Sequence, residues 1–162
     1  MLVLRYAALV AAALWVGGLV ILAAVAAPSI FDTIAARGVS DGRAVAGAVF
    51  GEALRRFHLL TYALAAVIIG SLLLRGALGP RPAYWAIRLG IAALMLAASM
   101  SSGIVLAERI ERARADAGGT PSALAPGDPR RVTFGRLHAL ATLLQIVPVA
   151  GGLALLFREL TD

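Results

Sequence analysis

Cysteine is missing from this chain, and so is lysine. Without a thiol there is no disulfide, no thiolate metal site and no cysteine nucleophile, and the redox compartment cannot be read from the composition. Without lysine, the whole positive side of the +6 net charge is carried by arginine. Charged residues of either sign make up only 15%, where a soluble domain carries about 25%. Several enzyme signatures are absent too: a glycine-rich phosphate loop, a serine elbow, an HExxH pair and paired intramembrane carboxylates. Hydrolase and kinase chemistry drop out, and the chain is expected not to be an enzyme. The arginines gather at helix ends and connections, as charges that face lipid headgroups do, so no nucleic-acid partner is expected.

What the chain has in excess is apolar surface, at 60% of 162 residues with a mean hydropathy of +0.88. The apolar residues come in blocks of about twenty or more, the length needed to cross the hydrocarbon core as a helix, and none alternates as barrel strands do. Four helices are predicted, at about 2–27, 45–74, 84–117 and 132–158. The fold expected is an all-α membrane protein, an antiparallel four-transmembrane-helix bundle forming a single domain over 1–162. The first run is too long for the core of a signal peptide and reads as a retained helix. Pro28 to Gly42 carries turn chemistry, with a short interfacial helix around Ile30 to Arg37. Arg75 to Pro82 makes a tight hairpin. Glu108 to Asp116 alternates charges, so the third helix runs on into water until Gly118-Gly119-Thr120-Pro121 stops it. Enrichment in Ala, Gly and Arg points to a GC-rich bacterial genome and to the inner, or plasma, membrane.

Chemistry narrows to the only two histidines, His58 and His138, on helices that start from the same side of the membrane. Arg55, His58 and Tyr62 share one face of the second helix, and Phe134, His138, Thr142 and Gln145 share one of the fourth. Ser99 and Ser102 lie toward the same end of the third. Three readings stay open. Polar side chains in a bundle hydrogen-bond helix to helix without further purpose. Two imidazoles facing each other can ligate haem b or a metal ion, with Arg55 and Arg136 neutralising haem propionates. The same groups can line a transport or proton path. Trp15 beside Gly17 and Gly18 reads as close helix packing, and Glu52 and Glu108 as partners in structural ion pairs.

Leu14-Trp-Val-Gly-Gly18, Ala27-Pro-Ser-Ile-Phe31, Ala46-Gly-Ala-Val-Phe50 and Phe134-Gly-Arg-Leu-His138 resemble the bacterial branch of the transmembrane-protein-205-like family, domain of unknown function 4149. The resemblance covers nearly the whole chain. It implies a four-helix membrane domain whose eukaryotic relatives are associated with drug and platinum resistance and with secretory membranes. A more distant similarity runs to CopD-type copper-resistance and HemJ-type protoporphyrinogen oxidase proteins, which bind copper or haem through a histidine near the start of helix one. Here Arg5 and Tyr6 stand in that region without a histidine, so that activity does not carry over. The function expected is an accessory or stabilising subunit of a membrane complex, in contact with the bilayer and with other membrane subunits. The alternatives are a haem or metal protein using His58 and His138, and a small transporter or resistance factor.

The end holding both termini and the hairpin carries Arg5, Arg75, Arg81, Arg88 and Arg158, against ten arginines at the other end. The excess of arginine marks the cytoplasmic side, so both termini are expected outside. Because the chain has no cysteine of its own, single cysteines at Ser122 and Asp162 report without background. On intact cells an impermeant thiol reagent is expected to label position 162 and spare position 122; the reverse pattern inverts the topology.

Overall fold

Pro28 does not end the first helix. The computed structural model, which describes residues 1–161, carries this helix from Leu2 to Ala36 as α1 (Leu2–Ile21), a π-helical turn (Leu22–Ala26) and α2 (Ala27–Ala36). A proline presses on the carbonyl four residues back and offers no N–H. Here that residue is Ala24, inside the widened turn, which takes up the clash without breaking the helix. The separate interfacial helix expected around Ile30 to Arg37 is therefore the tail of the first span. Asp162, the last residue of the expected domain, lies outside the described residues.

The second span is α3 (Gly42–Leu78). The third is α4 (Trp85–Met100), a second π-helical turn (Ser101–Leu106) and α5 (Ala107–Asp116); the fourth is α6 (Pro129–Thr161). No strand occurs among the described residues. The charged run Glu108 to Asp116 is helical, as its alternation predicts. The second and fourth spans run a few residues past their expected bounds because polar and turn residues at their ends join the helix. At α6, the Asp128 carbonyl accepts the Val132 N–H at 3.0 Å and its carboxylate the Arg130 N–H at 2.9 Å, while Pro129 fills the position whose N–H would be unused. The Arg130 guanidinium on the same carboxylate holds the Asp128 carboxyl at about 2. All four spans are long and apolar enough to cross a membrane, at 32 to 37 residues. At ~1.5 Å per residue this is roughly 48–55 Å, so each outruns a hydrocarbon core of about 30 Å.

Around the bundle, α1 packs on α3 and α6, and α4 packs on the same two. The cyclic order is thus α1, α3, α4, α6, with antiparallel neighbours, and α3 faces α6 across a diagonal. Ala11, Ala12, Trp15, Leu64, Ala65, Ile68, Leu72, Ala92, Met95 and Leu155 form the apolar core, nearer the end that carries the termini. Close approach there uses small residues: a Cβ on Gly18 would strike the Phe57 ring, and one on Gly152 the Val16 side chain. Gly17, paired with Gly18 in the sequence reading, has nothing within 4 Å of its Cβ position and takes no part.

The terminal end is fastened by one carboxylate. Glu159 of α6 is buried, and its Oε1 accepts from Arg75 Nη1 of α3 at 2.7 Å and Arg88 Nη1 of α4 at 2.9 Å. Arg5 of α1 places Nε 3.6 Å from Oε2 and donates Nη2 to the Glu159 carbonyl. Arg88 Nη2 also donates to the Arg158 carbonyl at 3.2 Å. Each of the four spans gives one side chain to this cluster. Removing one partner of a buried ion pair typically costs about 3–5 kcal/mol. Glu159→Gln, equal in shape, is expected to lose stability of that order, read as a large drop in detergent melting temperature; a change within error would make the cluster incidental.

Candidate functional site

Polar side chains are expensive in lipid, so a group of them at the bundle axis needs a reason. His58 of α3 is buried, at 5% exposure. Its Nδ1 lies 2.9 Å from the Leu54 carbonyl, which can only accept, so Nδ1 carries the ring hydrogen and Nε2 is an acceptor. Gln145 of α6 reaches across the diagonal and donates its amide to His58 Nε2 and to Ser102 Oγ, each at 3.2 Å. Both amide hydrogens are then used, one toward α3 and one toward the π-helical turn of the third span.

Several groups beside this bridge are left over. Tyr62 Oη and Gln145 Oε1 are shielded from solvent and have no hydrogen-bond partner among the described residues; Trp15 Nε1 and Ser99 Oγ are in the same condition. Natural structures leave few such atoms. Tyr62 and Gln145 both lie beside His58: a Cβ on Gly103 would come within 2.7 Å of both His58 Cγ and Tyr62 Oη, and the Gln145 amide lies 3.2 Å from His58 Nε2. Ser99 lies one turn from Gly103 toward the terminal end, and Trp15 one turn from Gly18, the neighbour of Phe57. Beyond them come apolar Ile68, Leu72, Met95 and Leu155, and then Glu159 beside a cavity of about 10 Å³ between α1, α3 and α6. The backbone is irregular at the polar level as well. Ser102 lies in a π-helical turn, and Pro148 interrupts α6 one turn from Gln145.

The two histidines expected as a pair are not brought together. Gln145, which His58 touches, stands seven residues beyond His138 on α6 (145 − 138), or about 10 Å along the axis. The reason is where each helix starts: α3 begins at Gly42 and α6 at Pro129, so His58 lies 16 residues in and His138 only 9 (58 − 42 and 138 − 129). His138 is exposed and stacks on Phe134 at 6.0 Å between ring centroids. Arg55, expected at a propionate, is bound with Arg56 to Glu52 on the outer surface at 2.7 Å. Arg136 is exposed, and Glu108 pairs with Arg112 within α5. Of the expected stripe on α6, Gln145 alone reaches the axis, while His138 and Thr142 face outward.

The sequence reading missed the Glu159 cluster altogether. The clue was Arg88, four residues inside an apolar helix, where a guanidinium has to find an anion. It also put Gln145 in a stripe without seeing it as the partner of His58. Since the site packs His58 and Tyr62 onto a glycine, Gly103→Ala overpacks it at a typical cost of about 1–3 kcal/mol. Lowered thermal stability is the expected result, with a greater loss for Gly103→Leu; two unchanged melting curves would show that the side chains do not meet there.

A family model described as "Domain of unknown function (DUF4149)" matches residues 10–118. No curated protein and no solved structure matches the chain. The matched stretch takes in the first span from residue 10 and all of the second and third and, with them, Trp15, His58, Tyr62, Ser99, Ser102 and Gly103. This chain, a multi-pass membrane protein with four apolar spans, belongs to the domain of unknown function family DUF4149.

Proposed function

We propose that this protein is a small membrane transporter that receives a small polar solute at the His58–Gln145–Ser102 bridge. The observation that carries the reading is the bridge itself: it crosses the axis of the bundle and leaves Tyr62 Oη and Gln145 Oε1 buried without partners. A bundle that only had to be stable would do better with apolar side chains at these places, because a buried polar atom left unsatisfied costs about 1–3 kcal/mol. The resemblance to the transmembrane-protein-205-like family, whose eukaryotic relatives are associated with drug and platinum resistance, supports the same kind of task.

A second reading, an accessory subunit, has its own support. Only 17% of the most apolar stretch of the fourth span is buried, and on the same helix His138 and Thr142 stand exposed near Leu140, Leu143 and Ile146. Polar groups on such a face sit better against another subunit than against acyl chains.

Reconstitution separates the two. Vesicles containing the purified protein are expected to admit small polar probes or protons several-fold faster than protein-free vesicles, and His58→Leu is expected to abolish the difference. If folded protein admits nothing, and a second membrane protein copurifies after gentle extraction and is lost with His138→Leu, the accessory reading replaces transport.

A further inference from the structure

The hydrogens at the bridge show what kind of guest the site can accept. His58 spends its Nδ1 hydrogen on the Leu54 carbonyl and its Nε2 lone pair on Gln145, and Gln145 spends both amide hydrogens. What remains is one strong acceptor, Gln145 Oε1, and the hydroxyl of Tyr62, both buried and unpartnered, together with the Ser102 hydroxyl hydrogen, which no bond uses. None of the three bears a charge. The charged residues nearest in sequence lie toward the loop end: Arg55 and Arg56 on α3, Glu108 on α5 and Arg136 on α6 are exposed, and half-buried Glu52 is paired with Arg55 and Arg56. An ion at the bridge would find no counter-charge.

We infer that the site takes an uncharged solute bearing both a hydrogen-bond donor and an acceptor, an amide or an alcohol. The guest's N–H or O–H binds Gln145 Oε1, and its oxygen accepts from the Tyr62 and Ser102 hydroxyls. This rests on the transport reading and narrows it. Two of the spans bordering the bridge already have broken backbone ladders, at the π-helical turn Ser101–Leu106 and at Pro148, so the bundle can widen here at a smaller cost in helical hydrogen bonds than elsewhere.

Entry of acetamide, urea and glycerol into reconstituted vesicles tests the inference, with sodium, acetate and protons as charged probes. Tyr62→Phe is the informative variant, since it removes only a hydroxyl that bonds to nothing in the fold. Its melting temperature is expected to hold while entry of the neutral probes falls at least about tenfold, because a site built to hydrogen-bond a solute rejects one it can no longer pair with; Gln145→Leu is expected to lose entry as well. Three outcomes count against the proposal. His58-dependent passage of an ion with no neutral probe, or of water alone, overturns the uncharged-solute assignment and leaves transport standing. Neutral entry that Tyr62→Phe leaves unchanged overturns it too. No passage of any probe through folded protein removes the transport reading beneath it.

Discussion

One carboxylate decides how the helices meet. Glu159 collects guanidinium groups from α1, α3 and α4 at a single point, and helices in lipid have no hydrophobic drive to associate with one another. Van der Waals packing brings four apolar rods together but is nearly indifferent to small rotations and slides. A charge-assisted contact is directional, and it fixes rotation and depth for all four spans. The order of helices around the bundle and the diagonal pairing of α3 with α6 are consistent with that point.

The two ends then behave differently. Toward the termini, Gly152 against Val16 and Gly151 against Met95 let the helices approach closely. The regularity fails in three of the four spans: π-helical turns on the loop side of the middle in the first and the third, and Pro148 just on the terminal side of Gln145 in the fourth. The polar bridge sits at this boundary. It ties α3, α6 and the third span with bonds of ordinary strength where the backbone is easiest to deform, while the ion cluster holds the far end. The proposed passage of a solute would draw on that contrast of stiffness.

Much of the architecture was legible in the sequence because the bilayer imposes a length rule. Four apolar blocks, the compact hairpin and the charged continuation into α5 follow from hydropathy and turn residues. The continuity through Pro28 was not legible, since a proline reads as a break and only three-dimensional packing decides between a break and a π turn. At the site, residue types were visible and their meeting was not. His58, Tyr62, Ser102 and Gln145 all stand out as polar groups in apolar helices. Depth depends on where each helix begins, and a shift of seven residues at those starts separates His58 from His138. Glu159 stayed hidden because a glutamate near a chain end looks like any solvent-facing residue until Arg88 is found inside the bundle.

The position of Glu159 also bears on how the protein is made. Chains emerge from their N-terminal end, so Arg5, Arg75 and Arg88 enter the membrane before Glu159 has been synthesised. Until then the first three spans can only extend these arginines toward the headgroups, with no common anchor to set their rotation. The last helix brings the anion that all three share in the finished bundle. In the order of synthesis, then, three positive side chains wait on one negative partner carried by the fourth span.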